Sequence, residues 1–575
     1  MKIKVNDYIA AFLHAQGITH VFEMAGGMIT QMLDAIYKLD KTKIISVHHE
    51  QTAAFAADAS GRLTGKPGIA FATSGPGATN LLTGIGSCYF DSSPAIFITG
   101  QVNTHELKGD RPIRQLGFQE TDILSMAAPI TKKCYKVMHA EEFEACLIDA
   151  YRTAISGRPG PVLIDLPMNL QRVEIEVAPI QKIEKIITPS TVDDMDFSHL
   201  IRDIKQAKKP LVLLGNGVHC ANAEDKIKHL IEQLNVPVVT SLLGLDLLPY
   251  HHPLRIGFIG SYGNRWANLA MGNCDLLIVL GSRLDIRQTG ADVDFFADKK
   301  IYHVDCYSPE INNRLKNCYP FAMDLNEFVE RMNQQLSGHS ITLQDAWIRE
   351  LHELKETWPD TEEIKNIKGI NPNYLLHELS QWSGKAAGYL ADVGNHQMWA
   401  AQSLELLEDQ FFMTSGGMGA MGFSLPAAIG ASLASGGKPV VVIVGDGSFQ
   451  VNIQELQTIV RNKLPIKIVV LNNHSLGMIR QFQDNYFEGR YQSTLWGYSA
   501  PDFAAIAAAY QIPSGSVEDP DDLSEALDAL WANPDEPYVL QVMIDTRANA
   551  YPKIAFGKPI TEMEPFVSPV AMEGT

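Results

Sequence analysis

Short apolar runs alternate with helix-period segments along nearly the whole chain. Residues 43–47, 68–72 and 95–98 are such runs, and glycine-rich turns follow several of them. A continuous apolar run bounded by turn residues reads as a strand buried on both faces, and a helical stretch between two such runs reads as a parallel crossover. Three blocks emerge from this rhythm. The first spans residues 1–175. A polar connector containing Ile and Lys, roughly 177–198, leads to a second block, 190–340, with runs at 210–215, 236–240, 276–281 and 301–305. A charged helical segment near 343–368 leads to a third block, 370–545, with runs at 388–391, 439–444 and 466–471. The final segment, 546–575, is Pro-rich and poorly periodic and reads as a C-terminal tail, free or closing as a lid. The predicted fold class is α/β, with three parallel-sheet α/β domains.

Composition narrows the function classes. The chain has 575 residues, 46% of them hydrophobic and 20% charged, as expected of a multi-domain globular protein. Its formal net charge of −19, with no basic tract to offset it, argues against nucleic acid as a partner. The N-terminal residues carry no signal-peptide core, and no apolar stretch is long enough to span a bilayer. No membrane partner is therefore expected, and the expected location is cytoplasmic. The seven cysteines are scattered without CxxC or Cys/His ligand spacing and read as reduced structural thiols.

The strongest chemical signal lies in the third block. The run 439–444 leads into Gly445-Asp446-Gly447-Ser448, and the run 466–471 leads into Asn472-Asn473. Two parallel strands ending side by side would each offer one hard oxygen ligand, a carboxylate and an amide. That pair suits Mg²⁺, which keeps other positions for phosphate or water. Gly447 admits a diphosphate to the backbone, and the helix start that follows favours an anion. In the first block, Glu50 follows a strand and opens a helix rich in small residues. A second strand end carries Thr73-Ser74-Gly75-Pro76-Gly77-Ala78-Thr79-Asn80, a turn that strips side chains away from a ligand.

These motifs resemble the thiamine diphosphate (ThDP) fingerprint. Nearly the whole chain is similar to the acetolactate synthase (acetohydroxyacid synthase) large-subunit family. The resemblance is carried by His49-Glu50-Gln51, Thr73 to Asn80, Ile98-Thr99-Gly100-Gln101-Val102, Phe118-Gln119-Glu120-Thr121-Asp122, Gly157-Arg158-Pro159-Gly160-Pro161, His396-Gln397-Met398-Trp399, residues 419–428 with one change, and Leu471-Asn472-Asn473. It implies a pyrimidine-binding domain, a central domain and a diphosphate-binding domain. It implies a homodimer at least, with a homotetramer expected, and active sites to which one subunit brings Glu50 and the other Asp446 and Asn473. The backbone oxygen of Ser475 would complete the metal contacts. Glu50 would hydrogen-bond the aminopyrimidine, the carbonyl of Gly419 would face the same ring, and Met421 would be the wedge that bends the cofactor. Gln119 matches the active-site glutamine and Phe118 its aromatic neighbour. The remaining ThDP contacts implied are Gly27, Ser74, Gly75, Pro76, Gly77, Asn80, Val393, Gly394, Asn395, His396, Gly445, Gly447, Ser448, Leu476, Gly477 and Met478. The central block resembles the version that binds a structural FAD, through Arg158, Gly215, Gly217, Ser241, Leu242, Leu243, Gly260, Tyr262, Gly281, Arg283, Asp285 and Asp305. An empty central domain that keeps its glycine turns is the alternative, since Tyr262 stands where the family has His.

Departures from the family cluster where it receives its second substrate. Met168 stands in place of a lysine. Asn103-Thr104-His105 replaces a Pro-Arg-Arg, Ile286-Arg287 replaces Asp-Arg, and Phe482 replaces a tryptophan. A carboxylate acceptor wants a cationic fork, so these losses imply a remodelled acceptor site. The loop before Phe118 is longer than usual and carries Lys108, Arg111 and Arg114. The pattern is similar to the subgroup that makes branched-chain deoxysugars. The expected function is a carboligase that decarboxylates pyruvate and transfers its two-carbon unit to a ketone, in that subgroup a nucleotide-linked keto-deoxysugar, with Gln119 and His105 steering the acceptor. Three alternatives stand beside it: acetolactate synthase proper, a simple 2-ketoacid decarboxylase, and a non-catalytic ThDP-fold subunit.

Overall fold

The computed structural model describes residues 1–185, 187, 190–336 and 345–570. Parts of the expected connector, the end of the second block, the start of the charged segment and the last five residues of the tail lie outside the described residues. Three six-stranded sheets dominate, and every strand pairing described within them is parallel. The first runs Lys43–Ser46, His20–Glu23, Gly68–Ala72, Ala95–Gln101, Pro161–Pro167, Lys133–Lys136. The second runs Arg255–Phe258, Val238–Thr240, Pro210–Leu214, Leu276–Leu280, Lys300–Asp305, Cys318–Ala322. The third runs Phe411–Met413, Gly388–Ala391, Val440–Gly445, Ile466–Asn472, Tyr538–Met543, Ser514–Val517.

The strand orders decide where a ligand fits. Counted along the chain, the first and third sheets share the order 2-1-3-4-6-5, and the second reads 3-2-1-4-5-6. In each, consecutive connections diverge to opposite sides at one point, and the crevice beyond the strand ends there is where open α/β sheets bind ligands. In the first sheet that point lies between the strands ending at Glu23 and Ala72. In the third it lies between those ending at Ala391 and Gly445. Among the described residues no helix is long and apolar enough to cross a membrane.

The chain forms two compact units. One comprises Met1–Ile187 with two excursions of the third block, Ser415–Lys438 and Val451–Ile466. The other comprises Thr188–Thr414, Pro439–Gln450 and Lys467–Thr575. Within the first unit, the small-residue helix Glu50–Thr64 packs against Ser424–Ala434, which is buried along most of its length. The approach is close: a Cβ on Gly430 would lie 2.0 Å from the Ala56 carbonyl oxygen. Within the second unit, the tail is folded in. Lys553–Ile554 pairs antiparallel with Met563–Glu564, Ile560 and Met563 enter the core around Trp266, and Arg265 donates both to Glu363 and to the Glu564 carbonyl.

His219 ties together three segments of the second unit. Its Nδ1 meets Glu224 Oε1 and its Nε2 meets Asp246 Oδ1, both at 2.9 Å. The other Asp246 oxygen accepts the Phe412 N–H of an edge strand. Burial alone would lower the imidazole pKa, but Asp246 and Glu224 outweigh it and raise it to about 10.

Two outcomes are expected. Overpacking costs about 1–3 kcal/mol, and with unyielding backbone at Gly430 it outweighs the gain of about 1 kcal/mol in helix propensity. Gly430→Ala should therefore lower the thermal unfolding midpoint, and an unchanged midpoint contradicts the close packing. The folded pKa of His219 lies above its unfolded value, so its contribution is fully present below about pH 6.5 and is lost as pH rises toward the folded pKa. His219→Gln should flatten stability across that window in urea titrations, and an unaltered pH profile contradicts the clamp.

Candidate active site

The third sheet delivers Asp446 at the end of Val440–Gly445 and Asn473 just past Ile466–Asn472, and these strands are neighbours. The Ser475 N–H is shared between them, 3.2 Å from Asp446 Oδ2 and 3.1 Å from Asn473 Oδ1. Asp446 Oδ1 accepts the Gly447 N–H at 2.9 Å. The carboxyl is 2% exposed and no cation pairs with it among the described residues. Burial pushes its pKa up to about 6, against the opposing N–H groups of Gly447 and Ser475 and the Tyr498 hydroxyl. A buried acid without a cation is costly unless something positive joins it.

The glycines around Asp446 are demanded by contact. A Cβ on Gly477 would lie 2.7 Å from Asn473 Nδ2 and 2.9 Å from Asn395 Nδ2, so three segments converge there. A Cβ on Gly445 would lie 2.7 Å from the His396 ring. Burial pushes the His396 imidazole down to about 3, so it is neutral. Ser448 Oγ donates to the Val393 carbonyl at 3.0 Å, holding the turn that carries Gly394. Leu476 and Met478 flank Gly477 at the start of Gly477–Tyr486. Three sealed polar atoms in this group have no partner: Asn395 Oδ1, His396 Nε2 and Ser475 Oγ. Buried polar atoms are rarely left unpaired, and a cluster of them calls for a ligand. Among the described residues no three His, Cys, Asp or Glu side chains gather into a metal cluster, so the donors for a cation here are one carboxylate, one amide and backbone oxygen. That set, beside unpaired donors and acceptors, fits a hard cation with a diphosphate.

In the first unit, Glu50 is the first residue of its helix and is 7% exposed. Asn80 Nδ2 donates to its Oε2 at 2.9 Å, which fixes the carboxyl plane and leaves Oε1 without a protein partner among the described residues. Gly77 lies over that oxygen, where a Cβ would be 3.1 Å from Oε1. Pro76 opens the short helix that ends at Asn80. Gly75 has φ +74°, and a Cβ there would be 3.1 Å from Gln119 Cβ. Gln119 itself has φ +64°, a strained backbone of the kind that gathers at functional sites. Phe118 beside it is 82% exposed. Gly27 and Gly419 both face open space, and Gly419 has φ +64°. Met421 is exposed.

Sequence reasoning missed a buried relay in this unit. Asp165 accepts from Thr99 Oγ1 and Gln101 Nε2, and Gln101 Oε1 accepts from Ser74 Oγ at 3.0 Å. Burial raises the Asp165 carboxyl to about 6. The relay anchors the Ser74 turn to the sheet. Ser74, Thr99 and Gln101 lie in motifs noted above, but only the register of Ala95–Gln101 with Pro161–Pro167 brings Asp165 to them.

The departing residues fall into two groups. In the first unit, the Thr104 N–H donates to Asn169 Oδ1 at 2.9 Å and Asn169 Nδ2 donates to Thr104 Oγ1 at 3.0 Å, placing Met168 beside that turn. His105 is exposed. The extended loop is closed by Glu120, which accepts from the N–H groups of Lys108 and Leu116. In the second unit, Asp285 caps the helix Ile286–Thr289 and accepts from Arg283 Nη2 at 2.9 Å. The Arg287 carbonyl accepts the Ser261 N–H. Phe482 packs on Tyr486 and Phe487, on a helix that Gln481 ties to the tail through both backbone atoms of Ala550.

The residues matched to flavin tell a different story. A Cβ on Gly217 would lie 2.6 Å from Gly281 Cα, and the Gly215 N–H donates to the Leu280 carbonyl. Gly260 sits against the Arg287 carbonyl. Packing of one turn on another thus accounts for these glycines. Arg158 Nε donates to Ser92 Oγ, Asp305 Oδ1 accepts the Tyr307 N–H, and the Tyr262 carbonyl accepts from Gln402. Ser241 starts the turn that holds Leu242 and Leu243. None of these twelve residues has a sealed, unpaired polar atom of the kind found at Asn395, His396 and Ser475.

Comparison with known proteins agrees with this geometry. Residues 3–126 match the N-terminal TPP binding domain of thiamine pyrophosphate enzymes, 197–332 their central domain, and 392–542 their C-terminal TPP binding domain. The chain is 36% identical over 558 residues to the acetolactate synthase isozyme 2 large subunit of Escherichia coli (strain K12), covering 97% of this chain and 98% of that protein. It is 35% identical over 590 residues to the probable acetolactate synthase large subunit of Methanocaldococcus jannaschii, covering 99% and 96%. It is 35% identical over 569 residues to the chloroplastic acetolactate synthase of Arabidopsis thaliana, covering 96% and 83%. The narrower expectation of a deoxysugar-transferring subgroup receives no support from these relatives. The chain belongs to the thiamine pyrophosphate enzymes, in the family of acetolactate synthase large subunits, and is an acetolactate synthase-like carboligase.

Proposed function

We propose that this enzyme joins the two-carbon unit of pyruvate to a second 2-ketoacid, as the names of its relatives indicate for them. The observation that carries the reading is the Asp446–Asn473–Ser475 cluster with its unpaired polar atoms. Asp446, Asn473 and the Ser475 backbone would hold Mg²⁺. ThDP, when bound, supplies an electron sink for decarboxylation. His396 stays neutral and offers Nε2 to a phosphate oxygen without adding charge. Glu50 presents Oε1, the oxygen Asn80 leaves free, to hydrogen-bond a ring nitrogen and to hold a proton there. Gly77 keeps the approach to that oxygen open. Gln119, set by its left-handed backbone against Gly75, would steer the acceptor oxygen, with the exposed Phe118 beside it in the chain and the exposed His105 as a second candidate.

A second acceptor class has a specific observation behind it. Thr104 and Asn169 spend their side chains on each other, and Met168 brings a thioether where the resemblance expects an ammonium. A ketone without a carboxylate at that position, such as a keto-deoxysugar, needs no cationic fork. FAD is proposed as a structural group on resemblance alone. So is a homodimer or homotetramer, with Tyr89, Phe90, Met126 and Met418 as exposed apolar side chains of the first unit for a subunit contact to cover.

Protein with Mg²⁺, ThDP and pyruvate alone is expected to form acetolactate, detected by mass spectrometry from labelled pyruvate. Slow CO₂ release that a carboxylate-free ketone accelerates would contradict the 2-ketoacid reading and favour the second. Glu50→Gln is expected to lower kcat by about 10²-fold or more while ThDP still binds by equilibrium dialysis, and unchanged turnover contradicts its role. Purified protein is expected to release flavin on denaturation, and protein that takes up no FAD contradicts that group.

A further inference from the structure

We propose that Arg255, Lys355 and Tyr250 form a binding site for a phosphoryl group, apart from the residues assigned to ThDP and its substrates. Arg255 opens the edge strand Arg255–Phe258 of the central sheet and is 6% exposed. Its Nε is sealed and has no hydrogen-bond partner, and no carboxylate pairs with the guanidinium among the described residues. Other guanidiniums of low exposure each meet a carboxylate: Arg62 meets Asp58 and Asp91, Arg265 meets Glu363, and Arg480, whose Nε is likewise sealed and unpaired, meets Asp484.

A second cation stands beside Arg255. Lys355, on the helix Asp345–Thr357, places Nζ 4.4 Å from the Tyr250 ring centroid, and Arg255 places Cζ 5.1 Å from the same centroid. The Tyr250 N–H donates to the Leu406 carbonyl at 2.8 Å, which ties down the segment that carries the ring. The acids nearest this pair are already engaged. Glu405 accepts from His377 and Gln381, and Asp360 accepts from His377 and Ser403. Lys355 makes no hydrogen bond or ion pair with either. Burial, then the Arg255 charge, holds the Lys355 ammonium below the usual lysine range against the smaller opposing pull of Asp360 and Glu405, and burial drives Arg255 down to about 10.

A buried guanidinium without a carboxylate partner and a half-buried ammonium near the same ring repel each other, and a shared aromatic face offsets only a small part of that. An anion held by both would offset that repulsion and pair the unpartnered guanidinium. A guanidinium fork grips two oxygens and an ammonium a third, and two positive charges match the dianion of phosphate or of a phosphate monoester better than a carboxylate.

The test uses full-length protein saturated with ThDP and Mg²⁺ in an oxyanion-free buffer. Inorganic phosphate and glycerol 3-phosphate are titrated separately while the thermal unfolding midpoint is followed, with chloride at matched ionic strength as control. A saturable rise of about 2–4 °C is expected, and its apparent affinity should fall at least about tenfold in both Arg255→Gln and Lys355→Gln, the loss of one charged hydrogen bond. A response to both ligands assigns free phosphate, and a response to glycerol 3-phosphate alone assigns a phosphate ester. No saturable rise with either, or a rise that survives in either folded variant, overturns the site.

Discussion

A carboxylate buried without a cation is the constraint on which the site rests. Asp446 is almost fully enclosed, and its oxygens face two backbone N–H groups and the Tyr498 hydroxyl, none of them charged. Those N–H groups orient the carboxylate, yet they do not neutralise it, and burial still lifts its pKa to about 6. The surrounding architecture is arranged to keep it there. Two parallel strands must end side by side so that Ser475 can link Asp446 to Asn473. Gly445 and Gly477 must lack side chains so that His396, Asn395 and Asn473 can close around it. A divalent cation with its phosphates satisfies the charge and the unpaired atoms at once.

The first unit solves a complementary problem with the same strand order. There the buried acid is Glu50, and one oxygen is secured by Asn80 while the other has no protein partner among the described residues. The turn that lies over it is anchored from behind by the Ser74–Gln101–Asp165 relay. Repetition of one topology explains why Asp446 and the Ser74 turn both lie just past strands that flank a switch point, although the two segments share little sequence. The central sheet has its own order, and its glycine turns are accounted for by their contact with each other.

Much of this was legible in the chain because buried parallel strands write themselves as uninterrupted apolar runs. The runs before Asp446, Asn473 and Thr73 coincide with strands, and chemistry placed just past a strand end is easy to name. Long-range geometry was not legible. Nothing local marks Gln119 for a left-handed backbone, since its position is set by the turn at Gly75. Nor does periodicity reveal that Ser424–Ala434 packs with the first block, because a helix apolar all round carries no directional stripe. The tail read as aperiodic because its order comes from a two-residue pairing and from Arg265, not from a repeating pattern. The acceptor departures were visible as substitutions, whereas the mutual pairing of Thr104 with Asn169 required the fold.

The dependence of ThDP binding on a divalent cation tests the central claim most directly. ThDP is titrated into cation-free protein by calorimetry, with and without Mg²⁺, for the native chain and for Asp446→Asn. The account predicts tight binding only when Mg²⁺ is present, and loss of that enhancement when the carboxylate is replaced. Equal ThDP affinity in the presence of a chelator, or a Mg²⁺ enhancement that persists without the Asp446 carboxylate, would contradict it.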